Sequence, residues 1–310
     1  MRIGVLTNPR SRRNQRRPGE AAALQAVLGD RGEVVAPPDL DALDGALRTL
    51  REASITVLGV HGGDGTLHRV LTAAVRAYGD SPLPPIALLR GGTMNNVAVS
   101  IGSRLAPIAA LQRLLDASRL PERTVRSLRV TRDDHAAQYG FLAGNGLVAR
   151  FLEVYYASGD PSPATAAKLL AHGTLSAVVG GTMVQQLTRP WEGLLRLDGE
   201  EWPHTRWTAV AVSTIEQMGL GFRVFHLLGD RVDRLQVVGL AGSAPDIARD
   251  LPSLYRGRGV HRPAHRSALG SALVLKGDAP QELTIDGDVY VAQEGRVAID
   301  LGPAVRFLRL

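Results

Sequence analysis

His61-Gly62-Gly63-Asp64-Gly65-Thr66 lies between the apolar run Ile55-Thr56-Val57-Leu58-Gly59-Val60 and a segment with helical spacing, Leu67, Val70, Leu71, Ala74 and Val75. The order is strand, glycine loop, helix. Glycines let a bulky anion approach the backbone, and the first N–H groups and the dipole of the following helix attract its charge. A carboxylate inside such a loop repels phosphate unless a cation separates them or a proton must be taken. Asp64 therefore points to a magnesium nucleotide and phosphoryl transfer. The same residues also suit a tight strand-to-helix turn that binds nothing.

A second stretch repeats the arrangement, and a third element contributes a strand and a loop. Ile86-Ala87-Leu88-Leu89 runs into Arg90-Gly91-Gly92-Thr93-Met94-Asn95-Asn96 and then Val97-Ala98-Val99. Ile3-Gly4-Val5-Leu6-Thr7 is a buried-strand run ended by Asn8-Pro9-Arg10-Ser11-Arg12-Arg13-Asn14. In one parallel sheet the three loops open at the same carboxyl edge, where open α/β sheets bind ligands.

Asn8-Pro9-Arg10-Ser11, Gly62-Gly63-Asp64-Gly65-Thr66 and Gly91-Gly92-Thr93-Met94-Asn95-Asn96, in this order, resemble the diacylglycerol kinase catalytic-domain family. That family includes bacterial lipid kinases and is related to sphingosine and ceramide kinases. NAD kinases and phosphofructokinases share the first glycine motif, but the second loop argues against both. The resemblance extends over nearly the whole chain and implies an ATP-dependent lipid kinase that uses Mg2+. ATP would be held by Asn8, Pro9, Ser11, Arg12, Gly62, Gly63, Asp64, Gly65, Thr66, Gly92, Thr93 and Asn95, with Asp64 on the catalytic magnesium. A structural magnesium would take Asp230, Asp233 and the carbonyl of Leu235. The acceptor hydroxyl would give its proton to Asp286, with Asp288 beside it. Without the family, Asp230-Arg231-Val232-Asp233 reads as a polar turn, and Asp286-Gly287-Asp288 as a hairpin turn between Leu283-Thr284-Ile285 and Val289-Tyr290-Val291.

Four positions depart from the family pattern. Arg12 stands at a usual glycine, Asn96 at an aspartate and Asp288 at a glutamate. Ala36-Pro37-Pro38 ends the second strand where relatives place a threonine. Together these point to an unusual acceptor or a changed nucleotide preference, and two alternatives stand beside the lipid kinase: a kinase for a soluble substrate such as NAD, and, given Arg12 and Asn96, a catalytically silent nucleotide-binding protein at a membrane.

Outward from the motifs, helices near Ala21–Leu28, Leu40–Leu50 and Leu105–Ala117 alternate with strands, including a short one at Glu33-Val34-Val35. This alternation predicts a parallel sheet covered on both faces. From Thr124 strands dominate: Val125–Thr131, Leu194–Leu197, Trp207–Val212, Leu235–Val238, Ala272–Leu275 and two last hairpins, interrupted by helices from about Val148 to Gln186. The expected fold is α/β: an N-terminal three-layer nucleotide domain, 1–123, to which 303–310 returns, and a C-terminal antiparallel β-sandwich, 124–302, with a helical insertion and the lipid substrate. Tyr155, Tyr156, Leu169, Leu170, Leu175, Val178, Val179 and Met183 are candidates for an acyl slot, or plain core.

Composition narrows the class. The 310 residues carry 36 basic and 30 acidic side chains, a net charge of +6, and no cysteine, which excludes disulfides and thiolate metal sites. A basic surface is drawn to anionic headgroups, nucleotides or nucleic acid alike. With 5% aromatic residues and no basic-aromatic interleaving, nucleic acid is the least expected partner. The uncharged stretch Leu169–Thr188 is broken by His172, glycines, Gln185 and Gln186, a poor membrane span. Met1-Arg2-Ile3-Gly4 enters the first strand directly, so no signal peptide is expected, and the enzyme is expected in the cytoplasm, peripheral to the inner membrane face.

Overall fold

The computed structural model describes residues 1–159, 162–179 and 181–310, apart from the side chains of residues 12, 174–179, 182 and 183. The chain packs as two units, Met1–Val125 with Ala304–Leu310, and Arg126–Pro303.

The first unit contains β1 (Ile3–Thr7), α1 (Arg12–Arg16), α2 (Glu20–Leu28), β2 (Gly32–Val35), α3 (Leu40–Glu52), β3 (Val57–Gly62), α4 (Asp64–Tyr78), β4 (Ile86–Arg90), α5 (Asn96–Ile101) and α6 (Pro107–Asp116). β2, β1, β3 and β4 lie side by side in parallel, and Phe307 and Leu308 add a further parallel pairing beside Ile86 and Ala87 of β4. β1 and β3 are buried along their whole length, as befits strands covered on both faces. On one face Leu24 and Leu28 of α2 and Ala110, Leu111 and Leu114 of α6 pack on Ile3, Val5, Val57, Ala87 and Leu89. On the other, Leu50 of α3 sits over Gly4, where an added Cβ would lie 2.7 Å from its Cδ2. Asp39 starts α3 by accepting the Ala42 N–H at 2.8 Å.

The second unit opens within β5 (Glu122–Arg132) and continues through β6 (Gln138–Gly140), β7 (Leu142–Gly146), α7 (Leu147–Ala157), α8 (Pro163–Val179), α9 (Thr182–Leu187), β8 (Trp191–Leu197), β9 (Glu200–Glu201), β10 (Arg206–Trp207), β11 (Ala209–Ser213), β12 (Leu235–Leu240), α10 (Ala244–Tyr255), β13 (His265–Gly270), β14 (Ala272–Gly277), β15 (Gln281–Ile285) and β16 (Asp288–Ala292). It closes within β17 (Arg296–Leu308). One antiparallel sheet has the order β13-β12-β11-β7-β15-β16. Facing it, β10-β8-β14-β17 pair antiparallel, with β5 beside β17. Ala143, Val210, Val212, Val237, Leu283 and Ile285 from the first sheet meet Leu128, Leu195, Leu273, Leu275, Val297 and Ile299 from the second. This is the sandwich core.

Three local expectations change. Trp207–Val212 is two strands: β10 belongs to one sheet and β11 to the other, and Thr208 between them donates its N–H to Leu240 O at 2.7 Å. The chain changes sheets there, burying Trp207 in the core. α10 was not foreseen, because Pro245 and Pro252 blur its period; Ser243 and Asp246 start it as a capping box. β7, Leu-Ala-Gly-Asn-Gly, lacks β-branched residues and is a strand through its neighbours on both sides. No helix among the described residues is long and apolar enough to cross a membrane.

Candidate functional site: three loops at one sheet edge

β1, β3 and β4 are adjacent and parallel, so the loops after Thr7, Gly62 and Arg90 leave the same edge of the sheet. Gly63 and Gly92 touch: a Cβ on Gly92 would lie 2.3 Å from the Gly63 Cα, and one on Gly63 would lie 2.8 Å from the Gly92 Cα. Only glycine at both positions allows this approach. Gly91 N–H donates to Gly62 O at 2.7 Å, fixing the two loops edge to edge. A Cβ on Gly62 would strike the Thr66 hydroxyl at 2.4 Å, so that glycine is also required.

Asp64 has a role the sequence did not show. It is the first residue of α4, yet its carboxylate faces α5, accepting the N–H of Asn96 at 2.8 Å and of Val97 at 3.1 Å. Asn95, whose place at the head of α5 would make it the cap, is left-handed, with φ 52°. Its amide is spent within the loop, accepting Gly92 N–H at 3.1 Å and donating to Gly92 O at 2.7 Å. Asp64 therefore caps a helix that is not its own and ties the second glycine loop to the first. Burial pushes its carboxyl above the ordinary carboxylate value; the two N–H donors and nearby Arg90 oppose that shift without cancelling it. The start of α5, expected to face phosphate, faces Asp64 instead. The first N–H groups of α4, at Asp64, Gly65 and Thr66, have no acceptor within the helix.

The first loop joins the same cluster. Asn8 donates its amide to the Thr66 hydroxyl at 3.0 Å and accepts the Arg10 N–H at 2.9 Å. Below it, Asn14 donates to Thr7 Oγ1 at 3.1 Å, and Thr7 shares a 2.9 Å hydrogen bond with His61 Nδ1. His61 Nε2 lies 3.3 Å from Glu20, which Arg13 grips with two hydrogen bonds of 2.6 and 2.7 Å. Arg13 holds the Glu20 carboxyl below its ordinary value, and burial holds the His61 imidazole below its own although Glu20 works the other way. His61, for which the sequence suggested no role, is a buried strut of the loop floor. Thr93 and Gly65 stay partly exposed at the rim; the Arg12 side chain lies outside the described residues.

The other expected residues belong to the second unit. Asp286 and Gly287 form the two-residue turn between β15 and β16, both with positive φ (48° and 95°), the backbone that an Asp-Gly hairpin turn demands. The hairpin reading is therefore correct as structure. The Asp286 carboxylate is buried and accepts the N–H groups of Phe141 at 3.0 Å and Leu142 at 2.9 Å. Asp288 is partly exposed. Asp230 and Asp233 are exposed, and Asp233 pairs with Arg234 at 3.1 Å, a cation where a metal was expected. Among the described residues no three acidic, histidine or cysteine groups come together as a metal site. Tyr155 is buried and Tyr156 exposed, donating its hydroxyl to Gly287 O at 3.0 Å. Leu169 and Leu170 are partly exposed, while the side chains of Leu175, Val178, Val179 and Met183 lie outside the described residues.

The sequence model of the diacylglycerol kinase catalytic domain matches residues 2–126. No curated protein matches the chain. Among solved structures, a diacylglycerol kinase of Bacillus anthracis is similar over 100% of this chain and 97% of its own, at 12% identity and a TM-score of 0.65. Two proteins of that organism proposed to be diacylglycerol kinases are similar over 100% of this chain and 97% and 98% of theirs, at 12% and 11% identity and TM-scores of 0.71 and 0.66. At such identity the likeness carries the fold.

Proposed function

We propose that the chain, whose residues 2–126 match the sequence model of the diacylglycerol kinase catalytic domain, is a kinase that transfers the γ-phosphoryl group of ATP to a hydroxyl of a membrane lipid. The observation that carries the reading is the contact of Gly63 with Gly92 beside the N-terminus of α4. It opens a side-chain-free strip of backbone at a helix start, the environment a polyphosphate requires. Asn8 and Thr66 line this strip, and Asp64 keeps the two glycine loops in register.

Each Asp64 oxygen accepts one N–H and retains a further lone pair, so Asp64 is the residue that would hold a magnesium ion, directly or through water. Bound there, magnesium would neutralise charge on the phosphates. Transfer forms the bond from acceptor oxygen to γ-phosphorus and breaks the bond to the β,γ-bridging oxygen, releasing ADP. The acceptor proton must go to a base. In this reading the base is Asp286, its carboxylate oriented by Phe141 and Leu142 N–H. The match to the diacylglycerol kinase catalytic-domain model supports a lipid as the acceptor, and the net charge of +6 is compatible with an anionic membrane surface.

The test is incubation of the purified chain with ATP, Mg2+ and a panel of diacylglycerols, ceramides and sphingoid bases, with mass-spectrometric detection of product. A phosphorylated lipid that disappears in Asp64→Ala supports the proposal. Phosphorylation of NAD with no lipid product, or ATP binding without turnover on any acceptor, overturns it.

A further inference from the structure

From Leu251 to Gly277 the chain carries five basic residues, Arg256, Arg258, Arg262, Arg266 and Lys276, and no acid. From Gln217 to Gly229 it carries Arg223 and again no acid. These two stretches fold against each other within the second unit. Phe222 meets Tyr255 edge to face at 5.2 Å. A Cβ on Gly257 would lie 3.2 Å from the Arg223 Cβ, and one on Gly259 would lie 2.6 Å from His226 Cε1.

Phe222 packs, partly buried, against the core cluster of Leu142, Ala211, Phe225 and Val238, while Tyr255 beside it and the arginines reach solvent. Tyr255 is 52% exposed at the end of α10. Leu220 heads a tight loop closed by Met218 N–H to Phe222 O at 3.0 Å and Phe222 N–H to Gly219 O at 2.9 Å. Its φ of 51° is left-handed, a backbone that a leucine adopts at a cost. Arg256 and Arg258 are exposed and form no ion pair among the described residues, whereas Arg266 pairs with Glu200 and Arg223 with Glu216. The basic turn is held in place by Asp250, which is buried and accepts His261 N–H at 3.1 Å, Arg262 N–H at 3.4 Å and a 2.7 Å hydrogen bond with His265 Nδ1.

We propose that this face, Tyr255 and the partly exposed Leu220 with Arg256 and Arg258, docks the protein on an anionic lipid bilayer. An amphipathic tyrosine settles at the headgroup level, the partly exposed leucine of the adjoining loop adds apolar area, and the two exposed arginines meet lipid phosphates. A protein partner would leave the excess of positive charge to be matched by an acidic surface. A bilayer of anionic lipid offers both the charge and the apolar layer at once. The inference rests on the lipid-kinase reading for the choice of a membrane as occupant.

The experiment is co-sedimentation of the full chain with vesicles of phosphatidylcholine, alone or with phosphatidylglycerol. The wild type should bind only the mixed vesicles, less so at high salt. Arg256→Glu with Arg258→Glu should weaken binding at least about thirtyfold. Leu220→Ser should weaken it while keeping the salt dependence, and should unfold with the same midpoint as wild type. Unchanged vesicle binding in both variants overturns the proposal. So does a wild type that ignores anionic vesicles, or one that self-associates or binds DNA through these residues instead. ATP binding, read separately with a fluorescent ATP analogue, reports on the kinase reading and is independent of this result.

Discussion

Asp64 offers the sharpest test of how the glycine loops are assembled. Asp64→Ala removes the acceptor of two N–H groups, those of Asn96 and Val97, and with it the cap of α5. A hydrogen bond to a charged group contributes about 1.5–3 kcal/mol, and loss of a cap costs about 0.5–2 kcal/mol. Relief of the buried charge offsets part of this, because burial already raises the Asp64 carboxyl above its ordinary value. The net expectation is a loss of about 1–3 kcal/mol, concentrated at α5. Hydrogen exchange should report it as amide exchange at Asn96 and Val97 faster by about ten- to a hundredfold. Asp64→Asn should behave more like the alanine variant than like wild type, since one end of the amide presents a donor to a donor. The pH dependence has a definite sign. A raised native pKa means that the folded chain binds the proton more tightly than the unfolded one, so this group's contribution falls as pH rises from the ordinary carboxylate value through the native one. Unfolding midpoints measured across acidic pH should therefore lack that decline in Asp64→Asn. Unaltered exchange at Asn96 and Val97 in Asp64→Ala would refute the capping role.

Gly92→Ala puts a Cβ 2.3 Å from the Gly63 Cα, so the loops must part, at about 1–3 kcal/mol, with ATP affinity down at least about tenfold; titration with a fluorescent ATP analogue checks it, and normal affinity defeats the phosphate-strip reading. Asp286→Asn should lower turnover at least about a hundredfold with ATP affinity nearly unchanged. Its thermal midpoint should be read alongside, because the carboxylate also holds the Phe141 and Leu142 N–H groups, and near-normal turnover removes it from the base role. His61, kept neutral by burial, contributes stability that is present above the ordinary imidazole value and lost as pH falls below it, so the first unit should weaken on acidification below about 6.5. Glu20, held down by Arg13, adds a further loss below about 4.5. Urea midpoints at neutral and mildly acidic pH, equal in wild type, would contradict the His61 account.

The fold class was legible because its signals are local. β1, β3 and β4 are short apolar runs ended by glycine or Asn-Pro, and α3 and α4 repeat their apolar residues at helical spacing. Elements without such a signal were missed. β7 owes its strand state to ladders on either side, and α10 hides its period behind two prolines. Trp207 and Ala209 read as one run, but the chain leaves one sheet for the other at Thr208, a choice made by where tryptophan fits.

Local chemistry alone established most strands and helices of the first unit, though not α1, whose residues read as loop; it also established that loops follow three of its strands, two of them glycine-rich, and that those loops contain one carboxylate, because propensity, period and turn residues act over a few neighbours. Packing in three dimensions assigned what those residues do. Asp64 meets α5 over a separation of 32 residues, His61 meets Thr7 over 54, and Asp286 meets Leu142 over 144. Hydrogen bonds between such distant partners depend on how sheets and loops close on one another, and no window of sequence contains both ends.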